Sequence, residues 1–138
     1  MTAGGFSDVL QLPANAWQIA KVDAACGRQA AAQGTWQRLA QVLSRESSNA
    51  LALAIGDKAR QRLGQARTPA ERQRLQDALD AATRTMATGE TSNPGLLELA
   101  RALLLEALGQ TAQSRDAMQR VFVFPDRNLS HALARQLS

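Results

Sequence analysis

Along the chain, apolar residues recur every three or four positions and nowhere alternate over the length of a strand, the pattern of helices packed by one face. Glycines, prolines and short polar side chains punctuate it. The first 14 residues hold Gly4, Gly5 and Pro13 and read as an extended lead-in, which Phe6, Val9, Leu10 and Leu12 could pin to the body. Asn15 is placed to cap a helix from Ala16 to about Gln33, with Gly34 as its left-handed stop. Thr35 then caps a helix from Trp36 to about Arg45, and Ser47, Ser48 and Asn49 break the chain. Ser48 opens a third helix reaching about Leu63, with Gly64 behind it.

Thr68-Pro69-Ala70-Glu71 is a stronger start signal. Thr68 fits the N-cap, Pro69 the first helical position and Glu71 the reciprocal place of a capping box. This fourth helix runs to about Ala87 before Gly89, and Asn93-Pro94 opens a fifth that ends at Leu108 before Gly109. Thr111 opens a sixth, closed by Phe122-Val123-Phe124-Pro125, and Asn128 is placed to cap a seventh from about Leu129 to Leu137. Short connections favour antiparallel neighbours. The expected domain is therefore three helical hairpins, about 15–45, 48–88 and 94–124, with a closing helix over 128–137.

Composition agrees with an all-α fold. Ala and Leu supply most of the 45% hydrophobic share, aromatics are 4% of the chain, and Tyr is absent. The abundant residues are good helix formers with little rotamer freedom to lose. A length of 138 residues suits one domain with a sizeable core.

The last hairpin resembles a tetratricopeptide repeat, a helix–turn–helix unit of about 34 residues. Ala102 and Ser114 stand at the family's small positions, Leu105 and Met118 at its large ones, and Gly109 at its turn glycine. Val121 takes a place where the family has a small residue, Pro125 falls one residue early, and Glu98 and Arg101 replace large apolar residues. In the first hairpin Gly27 and Gly34 match, but Leu39 occupies a small position, and the middle hairpin matches only in length. The resemblance implies a short tetratricopeptide-like solenoid with a C-terminal capping helix; a plain helical bundle is the alternative.

In that family the first helix of each repeat faces a concave surface where peptides or partner helices lie. Leu96, Leu99 and Leu103 would then line a groove, with Arg101 and Glu106 at its rim. The helix bearing them is apolar almost all round, so it is either central in the core or exposed for binding. Glu98 and Arg101 are spaced as an i,i+3 ion pair.

Charge adds a second surface. Lys58, Arg60, Arg62, Arg67, Arg72 and Arg74 are opposed only by Glu71 over residues 58–74, a local excess of five against +4 for the whole chain. Such a corner suits a solvated helix–loop–helix, an acidic protein, an anionic membrane surface or nucleic acid. Trp17 and Trp36 read as packing anchors that each open a helix.

Candidate catalytic chemistry is sparse. His131 is the sole histidine, Cys26 the sole cysteine, and Asp77 and Asp80 read as one solvated face. Cys26, among Ala24, Ala25 and Gly27, is expected in the core. No enzyme activity, cofactor or metal site is expected.

These readings favour a non-catalytic protein–protein interaction module or adaptor, the soluble scaffold part of a bacterial assembly, secretion or envelope machine. A partner peptide or helix in the groove is its expected ligand, with a homodimer through the first hairpin as a further partnership. A basic nucleic-acid-binding or regulatory domain is the alternative. The composition favours a soluble chain, cytoplasmic ahead of periplasmic, or the soluble piece of a membrane-associated protein.

Overall fold

A computed structural model describes residues 6–43, 50–91, 93–125 and 130–137. Among them the chain is all-helical, with α1 (Phe6–Ala25), α2 (Gln29–Leu43), α3 (Ala50–Arg62), α4 (Pro69–Thr88), α5 (Pro94–Ala107), α6 (Thr111–Val121) and α7 (Ser130–Leu137). None of these helices is long and apolar enough to cross a membrane. The expected breaks and caps at Ser47, Ser48, Asn49 and Asn128 lie outside the described residues.

From α3 onward the helix ends follow local chemistry. The Thr68 hydroxyl accepts from the Glu71 backbone N–H at 3.1 Å, and the Glu71 carboxylate accepts from the Thr68 N–H at 2.9 Å. Two of the four N–H groups orphaned at a helix start are thereby satisfied. Asn93 accepts from Leu96 N–H at the start of α5. Gly89 and Gly109 turn the chain with φ of 71° and 83°, in the left-handed region where a Cβ is penalised.

The first hairpin differs from the expectation. There is no extended lead-in over residues 6–14: α1 begins at Phe6, passes through Pro13 and ends at Ala25. The chain turns at Gly27, whose φ is 85°, while Gly34 sits inside α2. Trp17 and Trp36 accordingly lie well within their helices and do not open them.

Periodicity explains both changes. Phe6, Leu10, Pro13, Trp17, Ala20 and Ala24 repeat at alternating four- and three-residue intervals, one continuous helical stripe. Trp17 and Ala20 on this stripe are buried, and such a stripe outweighs the N–H that Pro13 lacks. In α2, Ala32, Trp36 and Leu39 form an equivalent buried stripe across Gly34. Gly costs about 1 kcal/mol inside a helix, less than one buried Trp contributes.

One buried cluster draws side chains from all seven helices. At its centre α5 packs against α3, α4, α6 and α7. The first half of α3, Leu51 through Asp57, is buried without interruption, and α3 packs mainly on α2 and α5. Between α5 and α6 the Ser114 hydroxyl donates to the Ala102 carbonyl at 2.8 Å, a contact that two small residues permit. Where α5 meets α7, a Cβ on Gly95 would come within 2.9 Å of the Ser130 hydroxyl and 3.3 Å of its Cβ, so the close approach favours glycine. The first and last helices also touch, with Gln136 donating to Asn15 at 2.9 Å.

The two glycines of the first hairpin should respond in opposite directions. A Cβ on either meets nothing within 4 Å, so only backbone conformation separates them. In urea unfolding, Gly34→Ala should stabilise by about 0.5–1 kcal/mol, whereas Gly27→Ala should destabilise by about 1 kcal/mol. Destabilisation by Gly34→Ala would instead place the turn at Gly34.

Candidate interaction surface

The groove expected on α5 is not open. Leu96, Leu99 and Leu103 are all buried, Leu99 at 0% exposure. The neighbours of α5 enclose it on most sides, so its apolar perimeter is core and not a binding face. The expected rim residues face other tasks. Arg101 pairs with Glu98 on its own helix and donates to the Thr83 hydroxyl of α4 at 3.2 Å. Glu106 pairs with Lys58 of α3 at 2.7 Å.

Glu98 itself is buried, at 1% exposure, within this apolar helix. A carboxylate taken from water needs a counter-charge and hydrogen bonds. Arg101 supplies one guanidinium and Arg120 of α6 a second, with Arg120 Nε 2.6 Å from the carboxylate. A single acid thus couples α4, α5 and α6.

The basic corner is also largely neutralised. Asp57, buried at 1% exposure, receives a two-pronged pair from Arg67 at 2.8 and 2.7 Å. Arg60 lies 3.9 Å from Asp57 and forms a closer pair with Glu71. The hydrogen bond from Arg67 to Asp57 raises the Arg67 pKa above its usual value, overcoming desolvation. The Thr68 backbone N–H, followed by that residue's hydroxyl and the charges of Arg60 and Arg74, holds Glu71 below the usual 4.5. Of the six basic residues, Lys58, Arg60 and Arg67 therefore have carboxylate partners. Arg62, Arg72 and Arg74 are exposed and make no ion pair among the described residues.

Arg62 has a different neighbour. Trp17 and Trp36 pack with ring centroids 6.2 Å apart and planes inclined by 50°. The Arg62 guanidinium lies 5.6 Å from the Trp17 ring centre and 6.0 Å from that of Trp36, while Lys58 Nζ lies 5.4 Å from Trp17. Both indole N–H groups are buried without an acceptor among the described residues. Packing and the cations over the rings hold this pair, and hydrogen bonds do not.

Among the described residues, large apolar side chains remain exposed at Ile19 and Val22 on α1 and at Phe122 and Val123 beyond α6. Ile19 and Val22 are one turn apart, at 59% and 47% exposure. Val123 is 81% exposed, while the neighbouring Phe122 ring is braced by His131 at 5.3 Å and by Arg135 at 5.4 Å. His131 Nε2 lies 2.9 Å from the Phe124 carbonyl oxygen, and that contact ties this turn to α7.

Cys26 is exposed, not in the core, because the chain turns there instead of continuing a buried stripe. Asp77 and Asp80 are both exposed and accept from Gln73 and Gln76 at 2.9 and 3.0 Å. Among the described residues no group of three or more metal-binding side chains comes together.

Several of these features lay beyond the sequence reading. The Phe122-Val123-Phe124-Pro125 run read only as a helix stop, although consecutive large apolar residues after a helix are a surface signal in their own right. Lys58 and Arg62 are one helical turn apart, which signals a shared face, but the sequence did not place the two tryptophans beneath them. No family model, curated protein or solved structure matches the chain.

The two kinds of ion pair should differ in worth. Arg67→Ala strands the buried Asp57 carboxylate, with Arg60 no nearer than 3.9 Å, and should cost about 3 kcal/mol in urea unfolding. Glu106→Ala, which breaks a pair open to solvent, should cost under about 1 kcal/mol. Equal losses would contradict the burial of Asp57.

Acid titration of stability offers a second check. The depressed pKa of Glu71 means that its stabilisation is fully present above 4.5 and is lost as pH falls through the lower folded-state value. The stability gap between wild type and Glu71→Gln should thus be widest near neutrality and narrow in acid. A gap independent of pH would remove the charge from the capping box's contribution.

Proposed function

We propose that this chain is a non-catalytic protein–protein interaction module, with the apolar turn at Phe122 and Val123 as its principal contact. The observation carrying this reading is the exposure of Val123 beside a Phe ring braced by α7. Folding gains nothing from that valine, whereas a pocket on a partner would gain the burial of both side chains. A braced ring also loses less conformational freedom on docking than a free one.

The tetratricopeptide-like reading enters at the same level. It draws support from the α5–α6 hairpin, where Ala102 and Ser114 touch, Leu105 is buried and Gly109 turns the chain. The contact between α1 and α7 brings the first and last helices together, which an extended array would not do. An adaptor role in a bacterial assembly, secretion or envelope machine follows from that resemblance alone. The nucleic-acid alternative is weaker, because half of the basic corner is engaged with carboxylates and both tryptophans are buried away from any base.

Affinity capture with wild type and Val123→Asp, compared at equal salt, tests the module. A discrete protein retained by wild type and lost with Val123→Asp supports it, provided that urea stability stays within about 0.5 kcal/mol, as expected for an exposed site. Recovery of the same protein with both variants would dismiss the turn as the contact. Concentration-dependent dimerisation of wild type, abolished by Val123→Asp, would identify the partner as a second copy.

A further inference from the structure

Arg62 combines three properties found together at no other described basic residue. It is exposed, it makes no ion pair among the described residues, and its guanidinium rests against two aromatic rings. An arginine held against rings has less rotamer freedom to lose and keeps the outer edge of its planar fork available for a carboxylate. We propose that Arg62 anchors a carboxylate in an acidic segment of the partner protein, with Arg72 and Arg74 adding attraction from the start of α4. This contact rests on the interaction-module reading and names the chemistry of a second part of the partner.

Charge complementarity selects the occupant. Arg60 joins the last turn of α3 to Glu71 in the first turn of α4, which brings the end of α3, where Arg62 stands, to the start of α4, where Arg72 and Arg74 stand. Between them stand charges already matched: Lys58 by Glu106, and Arg60 and Arg67 by Glu71 and Asp57. The surface is therefore a few separate cations among neutral pairs, suited to individual carboxylates on a peptide. A nucleic-acid strand asks instead for a continuous basic track and accessible aromatic faces. The tryptophans here are covered by the helices and by the cations themselves.

The chain contains two tryptophans and no tyrosine, and both tryptophans are at this site. Intrinsic fluorescence therefore reports on the Arg62 environment alone. The full chain would be titrated with a short poly-glutamate peptide, with inorganic phosphate, and with single-stranded oligothymidylate at fixed ionic strength.

A saturable change with poly-glutamate, weakened about tenfold in Arg62→Gln and less in Arg62→Lys, is the expected result for one lost charge-assisted hydrogen bond. Circular dichroism of both variants checks the fold, and Arg62→Lys keeps the comparison open should Arg62→Gln unfold. No saturable change, or an unaltered one in Arg62→Gln, overturns the proposal. Tighter binding of oligothymidylate than of the peptide overturns it in favour of nucleic acid, and phosphate binding equal to the peptide's reduces the site to a small-anion contact. Val123→Asp should leave the peptide response intact, so failure of the apolar turn and failure of Arg62 remain separate results.

Discussion

A carboxylate buried in the middle of an apolar helix sets the terms for this fold. Glu98 has no access to water, and α5 has few positions that are not Leu or Ala. Arg101 pairs with one oxygen of the carboxylate and Arg120 with the other, so loss of either arginine leaves a buried oxygen without its charged partner. Arg101 is further tied to Thr83. The angle and register of α4 and α6 on α5 are thus constrained by directional contacts, which leucine packing alone would leave freer.

The same device recurs at the corner between α3 and α4. These helices pack lightly on each other, and their relation is carried instead by Asp57, Arg67, Arg60 and Glu71. The capping box places Glu71, Glu71 receives Arg60, and Arg67 closes over Asp57 from the connecting loop. Formal charge counted along the sequence therefore overstates what this corner presents outward. Much of the apparent basic excess joins helices to one another, and only the remainder is available to a partner.

How much of this was legible depended on the range of the forces involved. Start and stop signals acting over one turn, such as Thr68 with Glu71 or the glycines at 89 and 109, were readable because they are settled within a few residues. Gly34 and Pro13 misled because their local cost, about 1 kcal/mol for a helical glycine and more for proline, yields to an apolar stripe that repeats at helical spacing along the chain. The leucines of α5 show a further limit. A helix apolar on most of its circumference has the same pattern whether neighbours or a ligand cover it, and only the packing of α3, α4, α6 and α7 decides. Cys26 erred with the turn: once the break moved to Gly27, the cysteine moved out of the core. The Glu98–Arg101 pair, by contrast, was visible as a spacing, although its burial and its third member Arg120 were not.

Enclosure of α5 and α3 also decides where binding can reside. A helix that holds the core together cannot surrender its apolar face to a partner without loss of stability, so any recognition would fall to groups that folding leaves uncommitted. Among the described residues such groups include two unlike kinds: apolar side chains at the turn after α6 and on α1, and cations at the α3–α4 corner. Burial of the first kind would supply affinity, while the second would supply orientation and faster association. Arg62 belongs to both descriptions, since its stem and plane lie over the rings that fill the core while its fork is exposed. A partner contact there would bear directly on the packing of α1, α2 and α3. Binding at this corner and the stability of the first hairpin would therefore be physically coupled.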